Sequence, residues 1–217
     1  MDQLVGILTS QDQRYLSDGY IVTDNGRYLG LGTGDQLVRA VTETRIEAAR
    51  HANPLTFLPG NIPISLHIQR LLESGTEFVA CYADLNNFKP FNDHYGYWRG
   101  DQMIRLVARL ATAHCDARSD FVGHVGGDDF MLIFQSSNWL QRCKNIVDEF
   151  AREAVTLFDD SARLAGGIHA EDRHGVQRFF PCTTLAIGAV RITPGRFRYA
   201  EEAVSYTHLT LPTNREV

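Results

Sequence analysis

The chain has 217 residues, 44% hydrophobic and 22% charged, which is the composition of a folded globular protein rather than a disordered, collagen-like or coiled-coil one. Its formal net charge of -5 argues against a broad basic face for nucleic acid or anionic lipid. The sequence has four dispersed cysteines and no apolar run of about 18 residues, and its first residues lack the basic segment and apolar run expected of a secretory signal. We therefore expect a cytoplasmic protein with reduced thiols and neither a nucleic-acid nor a membrane partner.

A β-hairpin is the first predicted unit. Two β-rich runs within residues 19–31 flank an Asn-Gly pair at residues 25–26. This pair tolerates the positive φ angles of a type I′ turn. A helix is predicted to begin at Asp35 and to run towards Ala52, because the segment at residues 53–63 contains three prolines and a glycine.

Beyond residue 62, helical and strand patterns alternate along the chain. This order predicts an α+β fold, in which helices pack against a central sheet that contains antiparallel strands. The predicted elements are a helix at 64–73, a strand at 77–84, a helix opening at Gly100, a hairpin of strands at 121–125 and 130–134, a helix at 140–158, a strand at 183–192 and a helix starting at Tyr199.

Three carboxylates stand where predicted strands end. Asp84 closes the first apolar strand, and Asp128 and Asp129 lie in the turn of the second hairpin. If these strands are neighbours, the three hard oxygen ligands suit Mg²⁺, which takes one or two carboxylates together with substrate phosphates. The polar run at residues 86–89 would aim backbone N–H groups at those phosphates. On spacing alone, an ordinary structural turn remains the favoured alternative, because Asp and Gly are good turn residues.

Four motifs together resemble the GGDEF family of diguanylate cyclase domains. Residues 78–101 (FVACYADLNNFKPFNDHYGYWRGD) match its strand, metal-binding aspartate, F-K-x-x-N-D run and G-D pair, and residues 125–134 (VGGDDFMLIF) match its signature hairpin. Residues 53–61 resemble its opening D-x-L-T-G-L-P-N-R segment, and residues 183–190 its late T-x-S-I-G strand. The resemblance covers about residues 53–204 and implies the palm-like sheet of nucleotide cyclases, related to the ferredoxin-like fold.

The resemblance also implies a role for each matching residue. Asp84 and Asp128 would bind Mg²⁺ (or Mn²⁺), together with the backbone carbonyl of Leu85. Asn92 and Asp101 would bind guanine, and Phe88 and Lys89 would belong to the phosphate-binding turn. Gly126 and Gly127 would let the nucleotide approach the backbone, and Asp129, beside Asp128, would assist the attacking ribose hydroxyl.

The implied reaction condenses two GTP molecules into cyclic di-GMP, with one GTP on each protomer of a homodimer that meets through its active-site faces. Asp129 stands where the family usually has glutamate and is one methylene shorter. This change keeps open a second function, a catalytically weak GTP-binding domain that regulates a fused cyclic di-GMP phosphodiesterase. A third possible function is that of a dimerisation platform that binds no nucleotide. His124, at a position where arginine is common, is assigned no role.

The two ends of the chain differ from the family. Residues 19–41 (GYIVTDNGRYLGLGTGDQLVRAV) resemble the second half of a CBS motif, so residues 1–50 are expected to be a partial CBS-like segment with a connecting helix, as in proteins that combine an EAL phosphodiesterase, CBS motifs and a GGDEF domain. Residues 205–217 abandon the helical periodicity and resemble a translated adapter. The expected organisation is a CBS-like segment at 1–50, a GGDEF domain at 51–204 and a non-native tail at 205–217.

Overall fold

The computed structural model describes residues 19–171 and 174–209, and its contacts divide the chain into two units, Met1–Arg50 and His51–Val217. The first unit contains β1 (Tyr20–Asp24), β2 (Arg27–Gly32) and helix α1 (Gly34–Arg50). β1 and β2 pair antiparallel, and Asn25 and Gly26 have φ angles of 48° and 79°. These angles confirm the predicted hairpin and its turn.

Helix α1 buries a narrower apolar face than its sequence predicts. Leu37 and Val41 are buried, whereas Val38 and Ile46 remain about half exposed.

The second unit contains most of the regular structure. Its elements are α2 (Asn61–Glu73), β3 (Phe78–Asn86), α3 (Phe88–Tyr95), α4 (Tyr97–His114), β4 (Phe121–Gly126), β5 (Asp129–Phe134), α5 (Trp139–Ala154), a 3-10 turn (Val155–Leu157), α6 (Asp160–Ala165), β6 (Gly167–Glu171), β7 (Gln177–Pro181), β8 (Thr184–Ile192) and α7 (Ala200–Leu209).

The central sheet has the strand order β4-β5-β3-β8 and is antiparallel throughout. Strand β3 lies between two partners, which explains why its sequence is a continuous apolar run rather than an alternating one. Tyr82 pairs with Met131 of β5 and with Gly188 of β8, and this register fixes which side chains share a face. The predicted α+β fold is thereby confirmed.

Helices cover both faces of the sheet. Odd-numbered residues of β3, such as Cys81 and Leu85, pack with α3, α4 and α5, and even-numbered ones, such as Ala80 and Tyr82, pack with α2 and α7. Alternation along the strands therefore directs Asp84 of β3 and Asp129 of β5 to the second face, shared with Tyr82.

Several segments differ from the sequence prediction. The run at residues 86–89 is not a free polar turn, because β3 extends to Asn86 and α3 begins at Phe88. Helix α3, the short helix α6 and the hairpin of β6 and β7 were not predicted. Helix α7 continues to Leu209, into the segment expected to be non-helical, and Thr207 in that segment is buried.

The cysteines of the protein are free thiols, and Cys81 and Cys143 bring their sulfur atoms to 3.9 Å between β3 and α5. Across residues 19–171 and 174–209, the helices are too short or too polar to span a bilayer.

Candidate active site

The three predicted carboxylates lie at one end of neighbouring strands. Ala83 of β3 pairs with Phe130 of β5, so Asp84 and Asp129 are the next residues along this antiparallel ladder. Asp128 precedes Asp129 at the tip of the β4–β5 hairpin. The fold therefore brings together side chains that are more than 40 positions apart in the sequence.

Asp84 and Asp128 lie close enough for their carboxyl groups to interact. Burial, followed by the charge of Asp84, raises the pKa of Asp128 to about 6. A divalent cation between the two groups would remove the repulsion between their charges. The donor set therefore fits Mg²⁺ or Mn²⁺.

Among the described residues, no group of three or more histidine, cysteine, aspartate or glutamate side chains forms a complete metal site. A cation held by Asp84 and Asp128 would therefore need further oxygen ligands, and substrate phosphates are one source. The side chain of Leu85 is buried in the core, so only its backbone carbonyl is available for the predicted contact.

Tyr82 joins this cluster, although the sequence analysis did not select it. Its side chain is buried, and its hydroxyl donates a hydrogen bond to the carboxylate of Asp129. Burial and the three neighbouring aspartates raise the pKa of the phenol, so it remains a donor. The available signal was its position two residues before Asp84, which puts both side chains on one face of β3.

Helices α3 and α4 place Asn92, one predicted guanine-binding residue, against Gly100, the neighbour of the other. The Oδ1 atom of Asn92 is buried and, among the described residues, has no hydrogen-bond partner. It presses against Gly100 so closely that a Cβ at that position would overlap it. A buried acceptor without a partner fits an N–H group of a bound base, and Asp101 follows Gly100 directly in α4.

The turn between β3 and α3 is held by two asparagines. Asn87 adopts a left-handed conformation (φ 60°), its Nδ2 donates to Pro181 O at 3.2 Å, and Asn86 Nδ2 donates to Thr184 Oγ1 at 3.0 Å. The side chain of Phe88 is buried, so a phosphate could meet only its backbone, whereas Lys89 is exposed.

Gly126 and Gly127 have φ angles of 150° and 59°, with open space where a Cβ would lie. Only glycine adopts this pair of angles readily, so the turn before Asp128 depends on both residues. The open space leaves room for a ligand to approach the backbone.

A model of the family described as diguanylate cyclase, GGDEF domain, matches residues 52–170. MucR of Pseudomonas aeruginosa, a bifunctional diguanylate cyclase/cyclic di-GMP phosphodiesterase, is 34% identical over 104 residues, which are 46% of this chain and 15% of MucR. The signaling protein YkoW of Bacillus subtilis is 33% identical over 101 residues, 44% of this chain and 12% of YkoW. The chain thus matches only a small part of either relative.

Solved structures show the same fold. The coiled coil and GGDEF domain of DgcB from Caulobacter crescentus, solved in complex with c-di-GMP, aligns with a TM-score of 0.56 at 19% identity. The alignment covers 79% of this chain and 85% of DgcB. Since the family model matches more than half of the sequence and the fold agrees, the chain belongs to the GGDEF family of diguanylate cyclase domains.

Proposed function

We propose that this domain binds GTP with Mg²⁺ or Mn²⁺ and condenses two GTP molecules into cyclic di-GMP and two pyrophosphates. The observation that carries the proposal is the pair of Asp84 and Asp128, whose negative charges repel each other beside Asp129 at the end of the sheet. A divalent cation bound between these two carboxylates would relieve that repulsion.

In the proposed complex, α3 and α4 bind the nucleotide. The unpartnered Oδ1 of Asn92 accepts a hydrogen bond from guanine, and Asp101 accepts a second one. The backbone N–H groups at the start of α3, with Lys89, face the phosphates, and Gly126 and Gly127 admit the nucleotide beside the hairpin.

Asp129 is proposed to accept the proton of the ribose 3′-hydroxyl. The 3′-oxygen then attacks the α-phosphorus of the other GTP, and pyrophosphate leaves. The hydrogen bond from Tyr82 fixes the orientation of this shorter carboxylate. When bound by Asp84 and Asp128, the cation would neutralise charge that develops on the transferred phosphoryl group. Because each domain holds one GTP, the reaction requires a homodimer that meets through its active-site faces.

The organisation of the longer protein is also a proposal. MucR combines a cyclase with a phosphodiesterase, and an EAL phosphodiesterase fused upstream would suit a GGDEF domain that belongs to a larger signalling chain. The CBS-like reading of residues 1–50, the non-native origin of residues 205–217 and the cytoplasmic location stay predictions. Of the first segment, the hairpin and α1 lie within the described residues, but residues 1–18 do not.

The test is to incubate the chain with GTP and Mg²⁺ and to quantify cyclic di-GMP. We expect product from the natural sequence, none from Asp84→Ala and unchanged product from Asp148→Ala, which removes an exposed carboxylate on α5. GTP binding that depends on Asp84 without any product, also with a native C-terminal helix restored, would instead favour the regulatory function. No GTP binding would refute both.

A further inference from the structure

His124 is buried in β4, two residues before the glycine pair, with 2% of its surface exposed. Its ring stacks on Phe130 at a centroid distance of 4.3 Å and an angle of 12°. Its backbone N–H donates to Pro59 O at 2.8 Å. The imidazole is thus fixed by packing and by its own backbone.

The two ring nitrogens of His124 contact different parts of the domain. Nε2 lies 3.0 Å from Gly127 O, and Nδ1 lies 2.9 Å from Thr56 Oγ1. A carbonyl oxygen can only accept, so Nε2 must carry the proton and donate it. In the neutral ring, Nδ1 is then an acceptor and the Thr56 hydroxyl donates. Burial also lowers the pKa of His124, which favours the neutral form.

The hydrogen bond from His124 restrains a turn that is otherwise free to change conformation. The φ angles of 59° at Gly127 and 150° at Gly126 are ones that glycine enters and leaves easily, and apart from their chain neighbours no atom lies within 4 Å of either Cβ position. The carbonyl of Gly127 belongs to the peptide plane that also contains the nitrogen of Asp128. A hydrogen bond that orients this carbonyl therefore orients the start of Asp128, which must face Asp84.

Thr56 belongs to a well-defined turn at residues 51–60, called here the 51–60 turn. Asn53 Oδ1 accepts the N–H groups of Leu55 at 2.9 Å and Thr56 at 3.2 Å, and Gly60 N donates to His51 O at 2.8 Å. These hydrogen bonds hold the backbone of Thr56, and so place its hydroxyl next to Nδ1 of His124.

We propose that His124 is a positioning residue, whose Nε2-protonated imidazole links Thr56 of the 51–60 turn to the carbonyl of Gly127 and thereby sets Asp128 for cation binding. The effect on cation binding and its catalytic consequence rest on the proposed function, but the hydrogen-bonded link itself does not. The 51–60 turn is then part of the support of the active site, because a change in its conformation reaches Asp128 through one side chain.

Paired variants separate this role from packing. His124→Gln can place an amide N–H near the position of Nε2, whereas His124→Asn is too short to reach Gly127 O. Thr56→Val removes the hydroxyl and Thr56→Ser keeps it. Ile146→Val, in the buried face of α5, is the control for a general loss of stability.

The first readout is the binding of Mn²⁺ alone, followed by the electron paramagnetic resonance signal of the free ion. We expect His124→Asn to weaken binding about tenfold and Thr56→Val about threefold, the cost of one hydrogen bond, with His124→Gln, Thr56→Ser and Ile146→Val close to the natural protein. In turnover, the loss should fall on kcat more than on KM for GTP. A ¹⁵N spectrum of the histidine ring should show the Nε2–H tautomer.

The proposal would be overturned if His124→Gln and His124→Asn weakened Mn²⁺ binding equally, or if the ring carried its proton on Nδ1. It would also be overturned if the variants, like Ile146→Val, changed only the melting temperature. A domain that binds Mn²⁺ with this pattern but makes no cyclic di-GMP would refute the proposed function and leave the positioning role supported.

Discussion

Tyr82 and Asp129 form a diagonal pair across β3 and β5. Tyr82 pairs with Met131 in the ladder, and its hydroxyl reaches Asp129, which lies two residues before Met131 on the same face of β5. An aspartate is one methylene shorter than the glutamate usual in this family and needs a defined orientation to reach a substrate hydroxyl. The phenol supplies that orientation at the cost of a buried polar group.

Removing this hydroxyl tests the idea. We expect Tyr82→Phe to lower kcat about tenfold, with KM for GTP changed less than about twofold, because the ring and its packing remain while the hydrogen bond to a charged group is lost. Tyr95→Phe is the matched control, since Tyr95 donates to Asp159 at 2.9 Å between α3 and α6. Initial rates of cyclic di-GMP formation measure both variants, and equal losses would contradict the assignment.

Asp128 makes the stability of the metal-free domain depend on pH. Its folded pKa of about 6 lies above the ordinary 3.8, so the folded state binds the proton more tightly. The resulting stabilisation is complete below pH 3.8 and is lost as the pH rises through 6. We expect Asp128→Asn to be more stable than the natural chain by on the order of 1 kcal/mol at pH 7.5, a figure reduced for solvent screening.

Urea unfolding in EDTA at pH 4.5 and pH 7.5 measures this difference. The advantage of Asp128→Asn should fall to about a third at pH 4.5, and added Mg²⁺ should stabilise the natural chain alone. An advantage that is the same at both pH values would show that the charge of the carboxylate is not its source.

Helices α3 and α4 meet at the contact of Gly100 with Asn92. Alanine at position 100 would favour helix formation by up to about 1 kcal/mol but would displace the Asn92 side chain. We therefore expect Gly100→Ala to keep or raise the melting temperature while it weakens GTP binding about tenfold, the loss of a polar contact to the base. Isothermal titration with GTP would measure the affinity.

The double variant shows whether Gly100 acts through Asn92. If it does, Gly100→Ala combined with Asn92→Ala should bind GTP no more weakly than Asn92→Ala alone. Additive losses would instead assign Gly100 a separate contact with the nucleotide.

Elements with strong local signals were predictable, and elements defined by long-range packing were not. The turn at residues 25–26 and the hairpin around Asp128 follow from turn chemistry, and β3 follows from its apolar run. Helix α3 has eight residues and buries only Phe88 and Phe91, too few to show a helical period. The same holds for the five-residue strands β6 and β7.

The carboxylate cluster of the site was predicted, but its supporting contacts were not. Asp84 and Asp128 stand at strand ends and belong to motifs that can be recognised in the sequence. The contact of Tyr82 with Asp129 depends on strand register, and that of His124 with Thr56 joins residues 68 positions apart. The sequence pattern alone shows neither the register of the strands nor which residues far apart in the chain come into contact.

For the whole molecule, the proposed reaction makes activity depend on pairing. A dimer that contains one Asp84→Ala protomer has only one complete site and cannot supply two activated nucleotides. In an equal mixture of natural and variant chains, random pairing leaves about a quarter of the dimers fully competent. Activity should fall to about a quarter of that of the same total amount of natural protein, whereas independent monomers would give about half.

The backbone contact between Pro59 and His124 has another consequence for the whole molecule. β4 is one of the two edge strands of the central sheet, and the 51–60 turn accepts one of its N–H groups through Pro59 O. An uncovered outer strand is a template on which further chains can add strands and aggregate. Pro54 and Pro59 offer no N–H of their own, so the turn occupies this edge without presenting a full ladder to a second chain. We therefore expect the 51–60 turn to hinder the addition of a further strand at this edge of the sheet.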